Sequence, residues 1–231
     1  IGKSRKISIN DIQISVPKSS YGSAIVLADV DDANVKNVVV DGGGYGVLSI
    51  AYEGVSTNFK LTDSFFTDIA NSGVGVRIVR NREVTIRNNR ITGNNEVYGD
   101  SDCYSGIDIV GGESQGIRLL DNVITGCGWG IFVNDEGPVT DLQIRNNFVF
   151  KNSDGIFVLG LKNSQLIGNR VHFNGFSGIG VNGGSTGNMI LHNVVTGNGF
   201  TDMSHDATST PNTWIGNTCE TSDEGEDVDC P

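Results

Sequence analysis

Arg77, Asp108, Tyr98 and Tyr104 are the side chains whose types and spacing could carry out a reaction. A guanidinium can neutralise a carboxylate, and a retuned carboxyl or a phenol can move a proton. Between Arg77 and Asp108 runs Asn95-Glu96-Val97-Tyr98-Gly99-Asp100-Ser101-Asp102-Cys103-Tyr104. In it Asp100 and Asp102 supply hard oxygen ligands of the kind calcium takes, although that spacing alone reads first as a solvated loop. Three chemistries fit these types. Taking a proton from the carbon beside a carboxylate needs a neutralising cation, Arg77 or calcium, and a base or acid such as Tyr98 or Tyr104, with Asp108 alongside. Cleaving a glycosidic bond by hydrolysis needs two facing carboxylates, for which Asp102, Asp108, Asp135 and Asp154 are candidates. A calcium site would draw on Asp100, Asp102 or Asp108. Phe132 and Phe157 offer flat apolar rings, and Asn134 and Asp135 offer polar groups, so these four form the candidate substrate-binding set.

What positions these residues is a repeat. The phrase apolar, variable, polar, Asn, variable, apolar recurs as Ile86-Arg87-Asn88-Asn89-Arg90-Ile91, Leu119-Leu120-Asp121-Asn122-Val123-Ile124 and Ile144-Arg145-Asn146-Asn147-Phe148-Val149. It returns around Asn169, Asn193 and Asn217, with weaker copies at Asn10, Asp41 and Asp63. A second column trails by five residues through Cys127, Asn152, Asn174 and Asn198. A third phrase, Gly before Ile or Val, falls at Gly46, Gly73, Gly106, Gly130, Gly155 and Gly178. No stretch keeps a helical period, and 32 glycines with 24 asparagines resist long helices. A leucine-rich repeat would need several fixed leucines per unit, which are absent. The pattern predicts an all-β chain, a right-handed parallel β-helix solenoid of about nine coils with three short strands each. Equivalent residues then stack at ~4.8 Å, and the asparagines can bond from coil to coil as a ladder.

In such a tube only outward positions and insertions are free for chemistry. Counting from the Gly-apolar phrase places Leu48, Gly75, Asp108, Phe132, Phe157 and Gly180 in one outward column. The next column reads Ile50, Arg77, Val110, Asn134, Leu159 and Asn182. The 33 residues between Asn89 and Asn122 mark an insertion beside Asp108, and solenoid insertions gather on the binding face.

The Ile-x-Asn-Asn-x-Ile and Ser-Gly-Ile phrases resemble the parallel β-helix repeats of the pectate-lyase-like superfamily, from about Ile7 to Cys219. That group includes NosD-type proteins, alginate lyases, mannuronan C5-epimerases and phage tailspikes. The resemblance implies a carbohydrate-directed protein that binds or modifies an extracellular polysaccharide, with a uronate lyase or epimerase as the enzyme type. It equally implies a non-catalytic structural or adhesion module, such as a tailspike shaft or surface-fibre subunit, because one scaffold carries many functions. The epimerase phrase Tyr-Gly-Phe-Asp-Pro-His-Glu is matched only at its start, by Gly44-Tyr45-Gly46-Val47-Leu48-Ser49-Ile50. The Gly-His-Gly of polygalacturonases is absent, and His172, His192 and His205 read as turn or surface residues.

Cys103 and Cys127 each lie four residues before the apolar marker of their coils, so stacking brings them within disulfide reach. Cys219 and Cys230 would close an acidic loop, giving a β-helix over 1–218 and a disulfide-closed C-terminal cap over 219–231. A four-cysteine zinc site would want Cys-x-x-Cys spacing, which does not occur. Paired cysteines, and a first residue of Ile1 rather than Met, fit an exported chain, secreted or at the cell surface. A net charge of −11 argues against nucleic acid as a partner. No apolar run approaches the ~20 residues of a membrane span, so membrane insertion is not expected. The expected partner is a polysaccharide, with homo-oligomerisation open and calcium the only cofactor the carboxylates suggest.

Overall fold

Short runs of aliphatic and β-branched residues alternate with turn residues, and each run is too brief to form anything but a strand. In a computed structural model describing residues 4–17, 22–69, 72–94, 103–134 and 136–222, they wind into a parallel β-helix. Among the described residues there is no helix. Eight strands, from Ser23–Ala28 to Thr201–His205, stack in one sheet. The two other faces both start at Ser4–Ser15, which pairs with Val30–Asp41, and run on to Thr213–Ile215 and to Thr218–Cys219, and every pairing is parallel. The tube thus has about eight turns, with Thr213–Ile215 and Thr218–Cys219 opening a further one. A bridge from Met203 to Ser222 carries the stacking past Cys219, and residues 223–231 of the expected cap lie outside the described residues.

The core is a set of apolar columns. Val35, Leu61, Ile86, Leu119, Ile144, Leu166, Ile190 and Trp214 stack inward on one face. Val47, Val76, Ile107, Ile131, Ile156 and Ile179 do so on the eight-stranded sheet, all essentially fully buried. At about 1.5–3 kcal/mol for each such side chain, these columns are the main stabilising term.

Asn89, Asn122, Asn147, Asn169, Asn193 and Asn217 form the expected ladder at the turn between the two other faces. Each Nδ2 donates to the next rung's Oδ1 at 2.9–3.1 Å. The residue before each rung (Asn88, Asp121, Asn146, Gly168, His192, Gly216) has φ between 54° and 65°. Asn, Asp, Gly and His tolerate that left-handed conformation best, which explains the paired-polar phrase and the place of His192. Asn152, Asn174 and Asn198 build a second ladder, ended by Asp202, whose Oδ1 takes Asn198 Nδ2 at 2.7 Å.

A glycine column marks the corner that leads into the eight-stranded sheet. A Cβ on Gly130 would lie 2.7 Å from the Gly155 carbonyl oxygen and 2.3 Å from Val149 Cγ1. The same crowding recurs at Gly46, Gly75, Gly106, Gly155 and Gly178. Gly75, not Gly73, therefore occupies the phase of Gly106, and Arg77 moves into the column of Asp108.

Candidate functional site

The outward column of the eight-stranded sheet reads Leu48, Arg77, Asp108, Phe132, Phe157 and Gly180 on successive coils. Arg77 Nε lies 3.3 Å from Asp108 Oδ2. The arginine side chain is 29% exposed, whereas the aspartate is 2% exposed. Burial pushes the Asp108 carboxyl up to about 6; Arg77 pulls it down and the charge of Glu136 pushes it up. Asp108 Oδ1 is buried without a hydrogen-bond partner. A carboxyl that titrates near neutrality, paired to a part-exposed cation, can take or give a proton and can meet an anion.

Arg77 Nη1 also donates to Tyr45 Oη at 3.3 Å, and its guanidinium sits 6.0 Å from the Tyr45 ring centre. Tyr45 is a site residue that the spacing arguments passed over. Its signal was in the sequence, in the Gly44-Tyr45-Gly46 that matches the start of the epimerase phrase. Trp129 was also passed over, although it stands directly before the glycine column. Its ring stacks on Phe132 with centroids 4.8 Å apart. Tyr104 meets Trp129 edge-on, also at 4.8 Å, and Phe157 lies 6.3 Å from Phe132. Tyr104 projects from a β-bulge, where Cys103 and Ser105 pair with the consecutive Gly73 and Val74. Phe132 is only 7% exposed, so Tyr104, Trp129 and Phe157 present the accessible part of this cluster.

The remaining expected residues divide into three groups. Asn134 lies two residues beyond Phe132, in register with Val110. Asp154 is half-buried, accepts the Ser177 N–H at 3.1 Å, and is raised by burial against that bond. It stands two coils from Asp108 and three residues off its column, at least about 10 Å away at the backbone. Tyr98, Asp100, Asp102 and Asp135 lie outside the described residues. Among the described residues no cluster of three metal-ligating side chains occurs.

Cys103 and Cys127 are joined, with Cα atoms 4.6 Å apart on neighbouring coils. Cys219 is also disulfide-bonded, and its expected partner Cys230 lies outside the described residues. His172 Nδ1 lies 2.9 Å from Thr196 Oγ1 on another face, and His205 packs by Trp214, both away from Arg77.

Among solved structures, the periplasmic alginate epimerase AlgG is similar at 18% identity and a TM-score of 0.65, covering 87% of this chain and 49% of that one. The A-module of the Azotobacter vinelandii mannuronan C-5 epimerase AlgE4 is similar at 17% and 0.65, covering 96% and 68%. The Dettilon tailspike protein is similar at 16% and 0.63, covering 97% and 55%. The chain thus spans about half the length of the first of these, and at such identities the likeness is one of fold. No curated protein matches the chain by sequence. Residues 2–195 match the family model described as the right handed beta helix region, and the chain belongs to that family of right-handed parallel β-helices.

Proposed function

We propose that this protein is a carbohydrate-directed β-helix protein that binds and modifies an acidic polysaccharide, as a uronate lyase or epimerase does. The observation that carries the reading is the Arg77–Asp108 pair, in register with Phe132 and Phe157 and flanked by Tyr45. A uronate carboxylate docked on Arg77 brings a second anion toward Asp108 and favours its protonated form. Protonated Asp108 then donates to that carboxylate, and the two groups together neutralise it. Loss of the C5 proton becomes easier: one of Tyr45, Tyr104 and Tyr98 acts as the base that takes it, and another returns a proton to the opposite face of C5 in epimerisation, or to O4 as the C4–O4 bond breaks in elimination. Calcium held by Asp100 and Asp102 would supply further neutralising charge. Likeness in fold to an alginate epimerase and to a mannuronan C-5 epimerase supports the substrate class. The Cys103–Cys127 bond supports an oxidising compartment, secreted or at the cell surface.

A non-catalytic binding or fibre module is the second reading, favoured by the near-burial of Phe132 and by likeness to a tailspike. The test is a screen on alginate, pectate and glycosaminoglycans. It would follow unsaturated uronate by absorbance and C5 inversion by NMR, with and without chelator. Turnover lost in Arg77→Ala supports the enzyme. Binding without turnover on every substrate supports the module, and turnover that survives chelation removes calcium.

A further inference from the structure

Two large rings are left in water at the same corner of the tube. Phe176 is 55% exposed and Phe200 is 75% exposed. They sit one above the other on successive coils, the Phe200 N–H donating to the Phe176 carbonyl at 2.9 Å. Their column runs back through Ser153 and Gly128, by N–H to carbonyl bonds and by the pairing of Ser177 with Thr201 and Trp129 with Asp154. One residue further on, at the head of the fifth coil's strand, stands Trp129, against which Tyr104 rests. Tyr104 and Trp129 thus stand at one end of this corner and Phe176 and Phe200 at the other. Ser153 and the Asp154 carboxylate lie between them. At ~4.8 Å per coil, Trp129 and Phe176 are about 10 Å apart, and Trp129 and Phe200 about 14 Å.

The chain neighbours of these two rings are Gly175, Ser177, Gly199 and Thr201, small and polar rather than aliphatic, and the next exposed ring, Phe173 at 62%, lies three residues before Phe176. A surface that binds another protein gathers a contiguous apolar core around its aromatics. Single rings in a polar setting, spaced along a line, suit a ligand with alternating apolar faces and hydroxyls.

We infer that the corner of Trp129, Asp154, Phe176 and Phe200 is a remote set of subsites for a polysaccharide lying along the tube axis, so that the protein reads chain length. This rests on the proposed carbohydrate reading and adds the direction of the polymer and the residues that hold its far end. Sugars bound at Arg77 and Phe132 occupy the third to fifth coils, and a longer chain continues over Asp154 to the rings of the seventh and eighth.

The test is calorimetric titration of the intact protein with mannuronate and galacturonate oligomers from dimer to octamer. The proteins compared are wild type, Phe176→Ala/Phe200→Ala and Phe176→Tyr/Phe200→Tyr. Wild-type affinity should rise with length. The alanine variant should lose about tenfold, about 1.4 kcal/mol, on the longest oligomers and nothing on the shortest. The tyrosine variant should keep the gain, and melting temperatures should match. Wild-type binding that the alanine variant reproduces at every length overturns the subsites and leaves the proposed function standing. No binding of any oligomer or polymer by wild type overturns both. A wild-type dimer, seen by light scattering and lost in the alanine variant, would make the corner a contact between copies and overturn the inference.

Discussion

Replacing Asp108 by Asn should make the protein more stable at pH 8, although it removes the central carboxyl of the candidate site. The carboxyl is 2% exposed and pushed up from 3.8 to about 6, chiefly by burial. The folded chain therefore holds this proton to about pH 6, while the unfolded chain releases it near 3.8. This contribution is full below the unfolded value and is lost as the pH rises through the folded one. Above pH 6 the ionised side chain costs the fold about 3 kcal/mol, at 1.36 kcal/mol for each pH unit between the two values. Asparagine keeps the shape and an acceptor for Arg77 without the charge, and no hydrogen bond is lost at Oδ1, which has none. Urea unfolding of wild type and variant at pH 8 should differ by about 3 kcal/mol, and at pH 4 by less than about 1 kcal/mol. A variant no more stable than wild type at pH 8, or an equal gap at both pH values, would refute the reasoning. A gain in stability with loss of turnover is the trade expected where a strained group is kept for its chemistry.

Arg77→Ala should destabilise the protein at pH 8, because it strips the partner from buried Asp108. The double variant with Asp108→Asn should recover most of that loss, and additive effects in this cycle would sink the pairing argument. Asn147→Ala should cost about 3–5 kcal/mol, since its amide serves Leu119 O, Asn169 Oδ1 and the N–H and Nδ2 of Asn122. Asn217→Ala, at the ladder's end, gives up three such bonds in place of four and should cost about 1 kcal/mol less; a cost near zero for either variant in urea unfolding would contradict the ladder. Reducing Cys103–Cys127, which closes a separation of 24 residues, should cost about 3.4 kcal/mol on the chain-entropy model, read from melts with and without reductant.

The fold was legible because a stacked repeat writes its geometry into spacing. Ladder asparagines, the left-handed residue before each and the corner glycines all have to recur in phase, so the sequence displays them openly. Two slips in register occurred: the weaker copies Asn10, Asp41 and Asp63 miss the rung, which Ser64 holds beside Asn89, and Gly73-Val74-Gly75-Val76 has two glycines that offer two phases. Only the carbonyl of the next coil, which leaves no room for a Cβ at Gly75, decides between them. Site chemistry was less legible. Arg77 and Asp108 stood out by type, but their contact depended on that register. Tyr45 joins them from a neighbouring coil, 32 residues before Arg77, through a side-chain bond that no periodicity announces. The rise of the Asp108 carboxyl follows from burial on an outward position, which alternation alone would have left in water.

The asparagine ladder makes distance along this molecule a counted quantity. The bond that enters each rung has the same form as the bond that leaves it, so one coil can be removed without any other noticing. Excising residues 143–164 would join Leu142 to Gln165, which already occupies the register of Gln143. Asn122 would then meet Asn169 as it now meets Asn147, and the glycine corner would close over Gly178 instead of Gly155. Trp129 and Phe176 would come to lie on adjacent coils. Coils here already run from 22 to 33 residues between rungs with every strand in register, so a residue more or fewer is taken up at a turn and not in the strands. Separations along the axis of this surface therefore change in whole steps, as on a ruler.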